Sequence, residues 1–155
     1  MRLASGIAPL RTWIDKGVKV GLGVDGSSSN DSGHLLSEAR QAMLLQRVNL
    51  GANKFSPREA LFTATRGGAE VLNRNDIGQI SIGKAADFAI YDLNKIAMSG
   101  AWSDPLAALV LCTPAETAYT ICNGEVISQN GHLNNFDLNL SLEKHKVASK
   151  RLLDL

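Results

Sequence analysis

The stretch Val18-Lys19-Val20-Gly21-Leu22-Gly23-Val24-Asp25-Gly26 decides how this chain is read. Its first seven residues form a short apolar run, the composition of a strand buried on both faces of a sheet. Just upstream, Pro9 followed by Leu10, Trp13 and Ile14 predicts a short helix with proline near its first turn and Gly17 as its stop. Just downstream lies a loop of small polar residues, Gly26 to Gly33. Beyond it Leu35, Leu36, Ala39, Ala42, Met43, Gln46 and Leu50 recur at helical spacing. Helix, strand, loop, helix is the grammar of an α/β protein with a parallel sheet.

Gly21, Gly23 and Gly26 match G-x-G-x-x-G by letter but not by context. A dinucleotide fingerprint needs its glycines after the strand and opening a helix, where free amides meet the pyrophosphate. Here the glycines fall inside the apolar run, turn formers follow, and Asp25 would put a carboxylate where phosphates should sit. Asp25 is the residue of interest. It stands at the carboxyl end of the predicted strand, the edge where ligands collect in parallel α/β folds. A carboxylate there can ligate a metal, act as general base, or do both; it can equally close an Asx turn or cap a helix.

A second helix is predicted from Ser56-Pro57-Arg58-Glu59, with Ser56 as cap, Pro57 in the first turn and Glu59 completing a capping box. Gly67-Gly68 inside it weakens helix propensity by about 1 kcal/mol per glycine relative to alanine. The pair therefore reads as a close-packing contact. From Asp76 the texture changes. Ile77 to Gly83 alternates apolar with small or polar residues, Phe88-Ala89-Ile90-Tyr91-Asp92 reads as a strand, and Asn123-Gly124 joins the runs 118–122 and 125–128. Asn-Gly between two such runs is a strong hairpin signal, because both residues accept the positive φ of a type I′ turn. This is a small antiparallel β module. The tail, 141–155, reads as a final helix.

Composition narrows the field. The chain has 155 residues, 45% apolar and 20% charged, with 16 basic and 15 acidic side chains and a net charge of +1. That is one domain's worth of ordinary globular sequence, with no bulk electrostatic case for nucleic acid or an anionic membrane. Cys112 and Cys122 lack metal-type spacing and read as reduced thiols. No run approaches the roughly 18–20 apolar residues that span a bilayer. The opening residues lack a signal-peptide core, so a cytoplasmic protein is expected and the sequons at Asn30 and Asn139 read as accidental. His34, His132 and His145 form no HxH, HxxxH or HExxH pair. His34 follows the polar loop and can approach the same edge as Asp25, or be a first-turn helix residue. Lys144, Lys146, Lys150 and Arg151 are interrupted by Glu143 and Asp154 and lack interleaved aromatics, the pattern of a solvated helix face rather than an RNA contact.

These parts do not close a fold. One strand buried on both faces needs partners on both sides, and the chain supplies no second strand of that kind.

The run Met1-Arg2-Leu3-Ala4-Ser5-Gly6-Ile7-Ala8-Pro9, then Val20 to Gly26, then Ser29-Asn30-Asp31, resembles the last barrel strand of the amidohydrolase superfamily and its flanks. Ile77-Gly78-Gln79-Ile80-Ser81-Ile82-Gly83-Lys84-Ala85-Ala86-Asp87-Phe88 is similar to that superfamily's C-terminal β-sandwich return. Within it, the opening run, His34-Leu35-Leu36 with Glu38-Ala39-Arg40-Gln41-Ala42, and Asp104-Pro105-Leu106-Ala107-Ala108-Leu109-Val110 most resemble 8-oxoguanine deaminases, whose relatives include chlorohydrolases and hydroxyatrazine aminohydrolases. The resemblance implies an α/β chain that is the C-terminal part of a metal-dependent (β/α)8 barrel. Residues 1–75 would end the barrel, 76–133 form part of a β-sandwich, and 134–155 a helical tail. A full barrel takes on the order of 200–250 residues, and Met1 matches a methionine inside family sequences.

The resemblance further implies one divalent metal, zinc or iron, in the intact enzyme, with Asp25 as ligand and proton-transferring group. Ser27, Ser28, Ser29, Asn30 and His34 are site-loop candidates by position. The family's HxH pair, later histidines and catalytic Glu have no counterpart here, so the chain alone is expected to be inactive and to have weak metal affinity. The implied activity is deamination of a small-molecule purine ring such as 8-oxoguanine. Its alternatives are hydrolysis of a triazine or chloro-aromatic ring, and a non-enzymatic truncated protein that pairs its open sheet edge into a homo-oligomer. The partner expected first is the missing N-terminal portion of the barrel.

Overall fold

A computed structural model describes residues 3–112 and 115–153. Met1 and Arg2 of the opening run, and Asp154 and Leu155 of the tail, lie outside the described residues. Helix α1, Leu10–Asp15, follows Pro9 and stops at Gly17, whose φ of 74° a side chain would resist. Helix α2, Leu35–Leu50, presents Ala39, Met43 and Gln46 inward. Helix α3, Pro57–Phe62, opens on the complete capping box, with the Ser56 N–H donating to Glu59 Oε2 at 2.7 Å and the Glu59 N–H to Ser56 Oγ at 3.2 Å. It runs on through a π-type turn, Thr63–Gly67, into α4, Gly68–Val71. Asp104 caps α5, Pro105–Leu111, accepting from the Ala107 N–H at 3.0 Å.

Leu10, Ala39, Met43, Phe55, Ala60 and Val110 make the core, with Val20 and Leu22 packed against it. Burying side chains as large as Met43 and Phe55 contributes about 1.5–3 kcal/mol each. Two polar clamps fix α1 on this core. Gln46, 3% exposed, donates to the Ala8 carbonyl at 2.9 Å and accepts from the Arg11 N–H at 3.2 Å. Arg11 in turn reaches Asp15 and Glu59, each at 2.6 Å.

The run 18–24 departs from the reading above. It is extended but pairs as no strand, and it is only half-buried at Val20, Gly21, Leu22 and Val24, with Val18, Lys19 and Gly23 exposed. Its backbone bonds run to helices: Val18 N–H to the Trp13 carbonyl at 2.9 Å and Leu22 N–H to the Thr63 carbonyl at 3.3 Å. An apolar run encodes a wish for burial, whereas a strand needs a ladder partner, and no described residue supplies one. The glycine pair behaves as expected. A Cβ on Gly67 would lie 2.3 Å from the Val20 carbonyl oxygen, and one on Gly21 2.8 Å from the Gly68 Cα, so backbone meets backbone there.

The β module is a meander in the order β1-β2-β3-β4, all antiparallel: Phe88–Tyr91, Thr117–Cys122, Glu125–Gln129 and His132–Leu133. Asn123 (φ 50°) and Gly124 (φ 86°) make the expected hairpin turn, placing Cys122 opposite Glu125. Gly124 N–H donates to the Ala86 carbonyl at 2.9 Å and Asn123 N–H to Asp87 Oδ1 at 2.7 Å, which ties the tip to the chain entering β1. The alternating run 77–83 forms bends rather than a strand, and Ile80 and Ile82 are exposed. Among the described residues there is one sheet, with no second sheet facing it.

Helix α6, Leu138–Leu153, starts three residues before the expected position because Asp137 caps it, accepting from the Leu140 N–H at 2.9 Å. None of its residues is buried. No described helix is long and apolar enough to cross a membrane. The accessible surface is 11012 Å² for 16.6 kDa, against about 7,600 Å² expected of a folded monomer of that mass. Leu3, Val18, Val48, Ile96 and Leu152 are among the apolar side chains left in water.

Candidate functional site

Asp25 ends the extended run at a φ of 63°, in the left-handed region that few residues other than Gly, Asn and Asp accept. That twist turns its carboxylate back on the following peptide, so Oδ1 accepts from the Gly26 N–H at 2.8 Å. The next residues close a turn on the Gly26 carbonyl, which accepts from the N–H groups of Ser29 and Asn30, each at 2.9 Å, and from Ser29 Oγ at 3.0 Å. The Gly26 amide, helped by the Ser29 hydroxyl, holds the Asp25 carboxyl below the usual carboxylate range. The group is fully exposed and ionised at neutral pH.

A cavity of about 270 Å³ opens here, lined by Gly23, Val24, Asp25, Ser29, Asn30, Asp31, Glu38 and Gln41. Of the candidate loop residues, Ser29 and Asn30 join Asp25 in its wall, whereas Ser27, Ser28 and His34 do not. His34 instead caps α2, its Nδ1 accepting from the Ser37 N–H at 3.4 Å. Asp31, Glu38 and Gln41 are wall residues that reading by type and spacing did not single out. Glu38 and Gln41 stand three apart on α2, on the face that returns to the loop. Asn30 joins the two elements by donating from Nδ2 to Glu38 Oε1 at 2.6 Å.

The donor set sets what this site can hold. Asp25 offers a carboxylate, a hard oxygen ligand suited to a divalent cation. Among the described residues, no three His, Cys, Asp or Glu side chains come together as a metal cage. His132 in β4 and His145 in α6 belong to other elements. The Asp25 carboxylate fits one corner of a metal site, and the described residues do not gather a full ligand set around it.

The chain is thus an α/β segment in which an unpaired apolar run, packed on helices, ends in an exposed carboxylate and an antiparallel meander follows. Its sequence places it more closely: residues 1–127 match the amidohydrolase family, and the chain belongs to that family. Over 153 residues it is 42% identical to an 8-oxoguanine deaminase of Pseudomonas aeruginosa, covering 99% of this chain and 34% of that protein. It is 39% identical to a 5'-deoxyadenosine deaminase of Methanobrevibacter smithii, covering 100% of this chain and 36% of the relative. The fold is similar to that of an atrazine chlorohydrolase from Arthrobacter aurescens TC1 solved with zinc, at a TM-score of 0.85 and 36% identity. That match covers 92% of this chain and 32% of the other. The chain thus spans about a third of the length of the relatives it matches.

Proposed function

We propose that this chain provides the last strand-and-helix step of a metal-dependent aminohydrolase, and that Asp25 is its metal-ligating and proton-transferring residue. The observation that carries this reading is the Asp25 carboxylate itself. It is exposed in a polar cavity at the end of an extended segment, and its ionised form is favoured by the Gly26 amide. A divalent cation bound beside it, zinc or iron, would lower the pKa of a water enough to supply hydroxide near neutral pH. With such an ion held there, Asp25 would accept the proton of the water that adds to the amine-bearing ring carbon and would return it to the amine nitrogen as that leaves as ammonia. Both transfers need a carboxylate that is unprotonated at rest. The remaining ligands and most of the substrate pocket come from barrel segments outside this chain, so the chain alone turns over no substrate.

The substrate we propose is a purine-type ring such as 8-oxoguanine, supported by the 42% identity to a protein of that activity. A triazine or chloro-aromatic ring is the second reading, favoured by the similarity to the chlorohydrolase. A longer enzyme carrying this chain, assayed on 8-oxoguanine, 5'-deoxyadenosine and atrazine, separates them. Ammonia release fastest from 8-oxoguanine is the expected result, and chloride release from atrazine with inert purines would overturn it.

A further inference from the structure

We propose that Glu38 is a positioning residue for Asp25, acting through Asn30. The proposal deepens the reading above and rests on Asp25 being the functional carboxylate. Three hydrogen bonds connect the two acids, and a fourth, from Ser29, braces the carbonyl on that path. Glu38 Oε1 accepts from Asn30 Nδ2 at 2.6 Å, the Asn30 N–H donates to the Gly26 carbonyl at 2.9 Å, the Ser29 N–H shares that carbonyl at 2.9 Å, and the Gly26 N–H donates to Asp25 Oδ1 at 2.8 Å.

The polarity of this chain is fixed by chemistry. A carboxylate only accepts and a backbone N–H only donates, so the Asn30 amide has one workable orientation. Its Nδ2 points to Glu38, while its Oδ1 takes the Ser32 N–H at 3.1 Å and the Ser32 hydroxyl at 3.3 Å. Glu38 is in turn anchored. It lies in the first turn of α2, next to fully buried Ala39 and one turn before fully buried Met43. The helix is therefore the rigid reference, and the charge-assisted Asn30–Glu38 bond ties the 26–32 loop to it. Asn30 and Glu38 line the Asp25 cavity themselves, so a shift of the bond is a shift of the site wall.

Hydrogen–deuterium exchange of the 155-residue chain, read by mass spectrometry on peptides covering the loop 24–33 and the helix segment 37–47, tests this. Glu38→Ala should speed exchange in the loop by roughly tenfold, the loss of one hydrogen bond to a charged group, with the helix peptide unchanged. Glu38→Gln keeps an acceptor and should stay near wild type, which separates positioning from a mere charge effect at the helix start. Asn30→Asp sets two carboxylates face to face and should loosen the loop as Glu38→Ala does. Adding Glu38→Gln to it lets the introduced amide donate to the introduced carboxylate and should restore slow exchange. Unchanged loop exchange in Glu38→Ala would overturn the proposal, and so would a double variant as fast as Asn30→Asp alone. Should Glu38→Ala also loosen the helix peptide, the difference between Asn30→Asp and the double variant decides in the same way. None of these readouts involves turnover, so they fail or succeed separately from the deaminase reading.

Discussion

The carbonyl oxygen of Val20 faces the α-carbon of Gly67 so closely that a β-carbon there would stand 2.3 Å away, while a β-carbon on neighbouring Gly68 would meet nothing within 4 Å. Two adjacent glycines therefore carry opposite expectations. Gly67→Ala forces the extended segment off the helix and should destabilise the chain by about 1–3 kcal/mol as an overpacking change. Gly68→Ala should stabilise it by up to about 1 kcal/mol through helix propensity. Urea midpoints of the two variants check the contrast, and equal effects would contradict the packing described.

Glu59 links α1 to α3 and should make stability depend on acid pH. Its burial pushes the carboxyl pKa up, but the Ser56 N–H and hydroxyl and the Arg11 guanidinium outweigh that and hold it below the ordinary 4.5. A depressed carboxyl stabilises fully above its unfolded value and loses that contribution as pH falls through the folded one. Glu59→Gln keeps the capping-box geometry and loses the ion pair. Its stability deficit against wild type should thus be present at pH 7 and vanish below the folded pKa. Glu59→Ala should cost about 1 kcal/mol more at pH 7 through loss of the box.

With 11012 Å² exposed and an extended segment that no described residue pairs with, the isolated chain should self-associate. Light scattering should give a mass above the 16.6 kDa of one chain. A clean monomer at tens of micromolar would contradict this.

The purified chain should bind zinc far below one equivalent, because a single carboxylate corner cannot compete with solvent for the ion. Elemental measurement after dialysis against zinc reads this directly. Stoichiometric, chelator-resistant zinc would mean that residues outside the candidate site form a cage.

Much of this architecture is written in local signals. The Ser56–Glu59 box, the Asn123-Gly124 turn and the helical spacing from Leu35 to Leu50 each act within a few residues, so reading them needs no partner. The run 18–24 is different. Its composition states that it belongs in a core, but pairing is a property of two segments, and no described residue pairs with this one. The alternation 77–83 misleads for a similar reason, since Ile80 and Ile82 find nothing to cover them. At the candidate site, the place of Asp25 at the end of the apolar run is legible. The Asn30–Glu38 contact is not, because it arises only when Asn30, eight residues earlier, folds back to meet the helix. The start of α6 was signalled by Asp137, a cap whose weight is easily missed beside the stronger helix pattern after 141.

The role of Asp25 is tested most directly in a chimera. This chain would replace the matching C-terminal third of the Pseudomonas aeruginosa 8-oxoguanine deaminase, to which 99% of it aligns, and kcat/KM for ammonia release would be compared with and without Asp25→Asn. Circular dichroism of both proteins would establish that they fold alike. The account predicts an active chimera and a loss of roughly 10²–10⁴-fold in the variant, the range for a positioned acid–base group. An Asp25→Asn chimera that deaminates as fast as its parent would contradict it.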